Sequence, residues 1–131
     1  MTTVFVNGTF DILHRGHLKM LEHAASLGDY LMVAIDVDTR VRTLKGNGRP
    51  VNNQEDRSFM LSRLKGVDEV KLFDSDDALE HIIQTYQPDI MVKGSDYRNK
   101  PIIGEEHCGQ IIFYEHTTHS TTKIIQRIIN R

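Results

Sequence analysis

The stretch "TVFVNGTFDILHRGH", residues 3–17, decides how the rest of the chain is read. Thr3 to Val6 form a short run of β-branched and apolar residues, which suits a strand buried on both faces of a parallel sheet. Asn7 and Gly8 close that run, and Gly8 permits a tight path into a helix that begins near Arg15 or Gly16. A helix start of this kind presents unpaired N–H groups and the positive end of a dipole, which suits phosphate. His14 and His17, three residues apart, project to the same side about one turn apart. Two imidazoles placed there can donate hydrogen bonds to phosphate oxygens as charge develops on them.

Outward from this stretch, short apolar runs alternate with helical patterns. "LMVAI" (31–35), "VKLF" (70–73), "IMV" (90–92) and "QIIFY" (110–114) read as four further strands. Leu79, Ile82, Ile83 and Tyr86 fall at i, i+3, i+4 and i+7 of a helix. Ile124, Ile125, Ile128 and Ile129 mark another near the C-terminus and are expected in the core. Residues 17–27 form a weaker amphipathic stretch, with Gly28 as its C′ residue. Residues 54–65 form a fourth, with Asn52 and Asn53 as cap candidates. This alternation predicts an α/β fold: a single-domain, doubly wound, Rossmann-like five-stranded parallel sheet with helices on both faces. Residues 36–52 and 93–109 fit neither pattern and are expected to be long loops at the carboxyl edge of the sheet, where ligands bind.

Composition narrows the function. A length of 131 residues suits one domain, 1–131, able to bury roughly two-thirds of its unfolded surface without a staple. Sixteen basic against eighteen acidic residues, with no strongly basic half, argue against nucleic acid as a partner. Cys108 is the only cysteine, so no internal disulfide is expected. The N-terminus lacks a basic and apolar leader, and no apolar run is long enough for a membrane helix. A cytoplasmic protein with no membrane partner is expected.

The pattern "GTFDILHRGH" (8–17) resembles the HxGH signature of the cytidylyltransferase-like nucleotidyltransferases, in its longer form G-x-F-D-x-x-H-x-G-H. "LKGNGRPVNNQEDR" (44–57), "VDEV" (67–70), "PDIMVKGSDY" (88–97) and "STTKII" (120–125) resemble further family segments in the expected order. The resemblance covers essentially the whole chain. It implies transfer of a nucleoside monophosphate from ATP or CTP to the phosphate of a sugar or polyol, with pyrophosphate leaving and Mg2+ accompanying the triphosphate. Because relatives are often dimers, it also allows a homodimer.

Carried onto this chain, the resemblance implies that His14, His17 and Lys45 are catalytic. Gly8, Thr9, Phe10, Asp11 and Gly16 would form the phosphate loop, with Asp11 supporting it. Gly94, Asp96 and Tyr97 would contact base or ribose. Ser120, Thr121 and Thr122 would bind nucleotide phosphates at the start of the last helix, where Ser120 or Thr121 can also cap. Arg57, and more weakly Arg49, would hold the acceptor phosphate. No resident metal site is expected. One segment departs from the family pattern: in "EHTTHSTT" (115–122) Thr118 stands where glycine is usual and no arginine precedes it, with His116 or His119 in that space.

Two branches of the family remain in view. "LKGNGRPVN" and "VKGSDY" look like the adenylyltransferase domain that makes ADP-heptose from D-glycero-β-D-manno-heptose 1-phosphate, and this longer resemblance favours that acceptor. "GTFD" and "STTKI" look like glycerol-3-phosphate cytidylyltransferase, which forms CDP-glycerol. A reading from another class is a non-catalytic nucleotide- or metal-binding module. For that module, His14-x-x-His17 and His116-x-x-His119 would together supply four imidazoles to a transition metal.

Overall fold

Five strands, β1 (Thr3–Gly8), β2 (Tyr30–Asp36), β3 (Glu69–Phe73), β4 (Ile90–Gly94) and β5 (Gln110–Tyr114), pair in parallel in the order β3-β2-β1-β4-β5. Among the described residues five α-helices, α1 (Arg15–Ser26), α2 (Asp38–Lys45), α3 (Gln54–Ser62), α4 (Asp76–Tyr86) and α5 (Thr121–Ile129), connect and flank them. The computed structural model describes residues 1–115 and 120–130. Each of the five strands lies where its apolar run predicts.

Alternation along the central strands sorts the core into two layers. Val4 and Val6 of β1, with Val33 and Ile35 of β2, meet Leu21 and Ala24 of α1 and Leu61 of α3 on one face. Phe5, Met32, Ala34 and Met91 point to the other face, against Leu79 and Ile83 of α4 and Ile102 of the β4–β5 connection. All of these are buried, which makes the sheet a two-sided core.

The strand order reverses between β1 and β4. On one side β1 pairs with β2 over its full length, from Thr3–Tyr30 to Gly8–Ile35. On the other side only Val4–Ile90 and Phe5–Met91 pair, so β1 and β4 part company before their carboxyl ends. That divergence opens a crevice at the switch point, where doubly wound sheets bind ligands.

Several expectations need correction. The stretch 36–52 is not one long loop: residues 38–45 form α2, held by the single buried apolar residue Val41. One buried position gives no periodicity to read, which is why the helix is invisible in the pattern. The stretch 93–109 contains two 3₁₀ turns, Ser95–Tyr97 and Glu105–His107. In α5 no residue is buried, and Ile128 and Ile129 are 62% and 74% exposed, so the last isoleucines are not core. The helix is anchored at its N-terminus, and its second half extends past the core.

Gly28 does stand at C′, directly after the C-cap Leu27, yet it is absent from the positive-φ positions. Its reason is space: a Cβ there would stand 2.6 Å from the Thr2 carbonyl oxygen and 2.8 Å from Val4 Cγ2. Gly28→Ala should therefore cost about 1–3 kcal/mol by overpacking. Chemical denaturation checks this, and a variant as stable as the parent would contradict the close approach.

Candidate active site

At the carboxyl end of β1 the chain turns sharply, with Phe10 (φ 53°) and Ile12 (φ 47°) in the left-handed region. Non-glycine residues adopt that region at a cost, and such sites cluster around functional groups. Buried Phe10 and Asp11 hold the turn in place. Both carboxylate oxygens of Asp11 accept from backbone, from Val51 N–H at 2.7 Å and Asn52 N–H at 2.9 Å, which ties the β1–α1 loop to the segment before α3. The Asp11 carbonyl accepts from the Thr121 hydroxyl, which fastens the start of α5 to the same loop. Asp11 thus links the β1–α1 loop to two other segments of the chain.

The two histidines cap α1 reciprocally. His14 is the N-cap residue, and its Nδ1 accepts from the Gly16 N–H at 3.1 Å. His17, three positions on, turns its own Nδ1 back to accept from the His14 N–H at 3.3 Å. This is the logic of a capping box, built with imidazoles instead of a hydroxyl and a carboxylate. The rings stack, with centroids 3.8 Å apart. A neutral imidazole that accepts at Nδ1 carries its proton on Nε2. Both rings are thus held with Nδ1 toward the helix and Nε2 on the opposite edge of the ring.

Burial, and then the positive fields of His14 and Lys45, push the pKa of His17 down to about 4, with Asp11 opposing. His17 is a neutral donor at physiological pH. Partial burial, followed by Arg49, also lowers the pKa of Lys45, while Asp36 and Asp11 oppose.

Two adjoining cavities open over this edge. The first, about 290 Å³, lies between the N-termini of α1 and α5. His14, Gly16, His17 and Asp11 wall one side, with Ser120, Thr121 and Thr122 on the other. Lys45 and Arg49 reach in from the α2–α3 side, and Arg49 Nη1 lies 3.5 Å from the Thr122 hydroxyl. Ser120 does cap α5, accepting from the Lys123 N–H at 3.0 Å. The second cavity, about 460 Å³, opens over the β1–β4 crevice and is lined by Asn7, Gly8, Asp36, Lys93 and Tyr97 above an apolar floor. Thr9, Phe10, His17, Lys45 and Gly94 line both cavities. His17 and Lys45 thus stand where the two meet.

Not every expected residue is brought there. Tyr97 lines only the second cavity, and Asp96 in the same turn lines neither. Arg57 is 1% exposed and its guanidinium is fully engaged. Nε donates to Asn52 O, Nη1 to Thr9 O and Asp36 O, and Nη2 to Asp38 Oδ1 at 2.7 Å. The expectation that Arg57 holds the acceptor phosphate does not fit this geometry. Its donors secure three backbone carbonyls that shape the site, and its charge is met by Asp38. The second histidine pair of the four-imidazole reading, His116 and His119, lies outside the described residues. Among those described, the one group able to gather metal ligands is Glu80, Glu106 and His107, away from both cavities.

Asn7, Asp36 and Lys93 were missed from the sequence. Each sits at the end of a strand that reads as core, and only the neighbouring of β1 with β2 and β4 brings them together. The weak signal available was a charge closing an apolar run, as in "VAID" and "IMVK".

The fold and this edge define the class. The cytidylyltransferase-like family profile matches residues 5–127, and the chain belongs to that family of nucleotidyltransferases. It is 46% identical over 128 residues to the bifunctional protein HldE of Campylobacter fetus, covering 97% of this chain and 28% of that protein. It is likewise 46% identical over 126 residues to HldE of Helicobacter pylori strain Shi470, covering 95% and 27%. The chain thus spans little more than a quarter of the length of these curated relatives. Among solved structures, a lipopolysaccharide core biosynthesis protein from Thermoplasma volcanium superposes with a TM-score of 0.70 at 27% identity, covering 92% of this chain and 99% of that one. Pantothenate synthetase from Thermus thermophilus shares the fold alone, with a TM-score of 0.64 at 13% identity, over 91% of this chain and 57% of that one. No helix among the described residues is long and apolar enough to cross a membrane.

The bonding of Arg57 yields a direct test. Arg57→Lys keeps the charge but has three donors for four acceptors, so it should lose about 1–3 kcal/mol of stability through the acceptor left unmet. Thermal unfolding checks this. A fully stable Arg57→Lys variant whose only defect is a raised KM for the acceptor would restore the phosphate-binding role.

Proposed function

We propose that residues 1–131 act as one nucleotidyltransferase domain that transfers AMP from ATP to heptose 1-phosphate, forming ADP-heptose and pyrophosphate. The observation that carries this reading is the junction of the two cavities at His17 and Lys45. Two helix N-termini and two cationic side chains make the first cavity a site for a polyanion, which suits a triphosphate. The second mixes a carboxylate, an amide and an ammonium over an apolar floor, which suits a hydroxyl-rich acceptor. The adenylyl and heptose specificity rests on the loop sequences "LKGNGRPVN" and "VKGSDY" and on the likeness to HldE. Glycerol 3-phosphate with CTP is the second reading, favoured by "GTFD" and "STTKI".

The chemistry follows from the placement. An oxygen of the acceptor phosphate attacks the α-phosphorus, the bond from that phosphorus to the β-bridging oxygen breaks, and pyrophosphate leaves with the electron pair. No proton has to move, so the task is positioning and charge stabilisation. The Nε2–H groups of His14 and His17 donate to the oxygens that gain charge, and Lys45 follows them as a mobile cation. Because His17 is neutral, it donates without adding a fixed charge to the ground state. Thr9, Gly16, Thr121 and Thr122 align the phosphates, with Arg49 beside them.

A divalent cation, assigned as magnesium, would neutralise part of the triphosphate charge. The side chains here fit a cation carried by the nucleotide: both Asp11 oxygens already accept backbone bonds, and Asp36 lies beside Arg40. An NTP-dependent reaction suits the cytoplasm.

Pyrophosphate release measured with ATP or CTP, each against heptose 1-phosphate or glycerol 3-phosphate, tests the proposal. Turnover should be confined to ATP with heptose 1-phosphate, and exclusive use of CTP with glycerol 3-phosphate would replace the substrate. His17→Ala should lower kcat at least about a hundredfold. Undiminished turnover by that variant would remove His17 from the mechanism.

A further inference from the structure

The second cavity contains a cation that nothing in the sequence reading uses. Lys93 is the penultimate residue of β4, beside Gly94 and directly over the gap where β4 leaves β1. Its Nζ spans that gap and donates to Asn7 Oδ1 at 2.7 Å, so the ammonium is held by a neutral amide on the facing strand. The Tyr97 ring flanks it, with the centroid 5.0 Å from Nζ. No ion pair among the described residues takes up its charge. Asp36 and Asp96 act on it only through their fields, and burial lowers its pKa to about 8.

The other cations near this cavity are committed elsewhere. Arg57 is bonded to backbone carbonyls and Asp38. Arg40 Nη2 meets Asp76 at 2.6 Å, and its Nε lies 3.8 Å from Asp36. Lys45 also faces the triphosphate side. A phosphorylated acceptor brings about two negative charges into a partly desolvated cavity, where an unpaired anion is expensive. Of the lysines and arginines lining that cavity, only Lys45 and Lys93 have no ion pair among the described residues, and Lys45 is shared with the triphosphate side, which leaves Lys93 to the acceptor.

We propose that Lys93 is a specificity-determining residue for the acceptor: its ammonium, positioned across the β1–β4 crevice by Asn7, binds the acceptor's phosphate and so selects phosphorylated sugars or polyols over the free ones. Asp36, buried across the same cavity and fixed by Arg40, accepts from an acceptor hydroxyl and sets which end of the molecule faces the triphosphate. This inference rests on the second cavity being the acceptor side, as in the proposed function. It replaces Arg57 with Lys93 as the acceptor's cationic partner.

The test is steady-state pyrophosphate release with ATP and heptose 1-phosphate, or with whichever of the four substrate pairs the wild type uses, in Lys93→Met and Lys93→Arg. Lys93→Met keeps the length of the side chain and removes its charge. Its acceptor KM should rise about tenfold or more, as for loss of a charge-assisted hydrogen bond, with KM for the nucleotide within about twofold. Lys93→Arg should recover most of the loss. Asn7→Ser, which leaves the lysine but removes its anchor, should give an intermediate rise and serves if Lys93→Met does not fold. An unchanged acceptor KM in Lys93→Met, or a parallel rise in both KM values, overturns the role of Lys93 while leaving the reaction in place. Absence of turnover by the wild type with all four pairs overturns the functional reading and this inference with it.

Discussion

The reciprocal cap at the start of α1 is the constraint on which the site depends. Each backbone N–H that it satisfies would otherwise need water or a ligand, and a cap of this kind contributes on the order of 1 kcal/mol. Its larger consequence is chemical. By engaging Nδ1 of His14 and of His17, the cap leaves Nε2 on the opposite edge of each ring and fixes the planes of two rings stacked 3.8 Å apart. A helix that needs capping thereby acquires a pair of oriented donors. A carboxylate cap would satisfy the same N–H groups without leaving any donor, and a hydroxyl cap would leave only an O–H on the same atom, free to rotate.

Around that cap, buried charge organises loops that have little apolar surface of their own. Asp11, within the β1–α1 turn, and Arg57, bonded to it at the Thr9 carbonyl, are each 1% exposed. Asp11 collects two N–H groups from residues 51 and 52, and Arg57 collects the carbonyls of Thr9, Asp36 and Asn52. Buried ions of this kind stabilise little against an apolar substitute, and they are costly to leave unpaired. Their effect is specificity of arrangement, because the carboxyl ends of β1 and β2 and the start of α3 have one set of positions in which every donor and acceptor is met. The strained φ values at Phe10 and Ile12 persist inside this frame.

The fold was legible because its strands are continuous apolar runs and its main helices carry a clear period, as at Leu79, Ile83 and Tyr86. The residues around the first cavity were legible for another reason: they sit in short local motifs whose order along the chain carries the family likeness. What escaped detection has physical causes. Helix α2 buries only Val41, so no period marks it. Arg57 reads as a charge on a helix face, and no local pattern shows that four acceptors surround it. Lys93, Asn7 and Asp36 meet only through a strand order that a sequence does not display. Ile128 and Ile129 satisfy a helical period, yet α5 extends past the core that would have covered them.

The central claim is that two imidazoles, each held with Nδ1 toward the helix it caps, face the transferred phosphoryl group, with His17 a neutral Nε2–H donor. Long-range ¹H–¹⁵N spectra of histidine-labelled protein measure this directly. At pH 7 His17 should show the Nε2–H tautomer. On acidification His17 should keep it through pH 6.5 and gain its second proton only near 4, because burial and the neighbouring positive charges disfavour its charged form. An Nδ1–H tautomer at His17, or a His17 that titrates near 6.5, would contradict the claim.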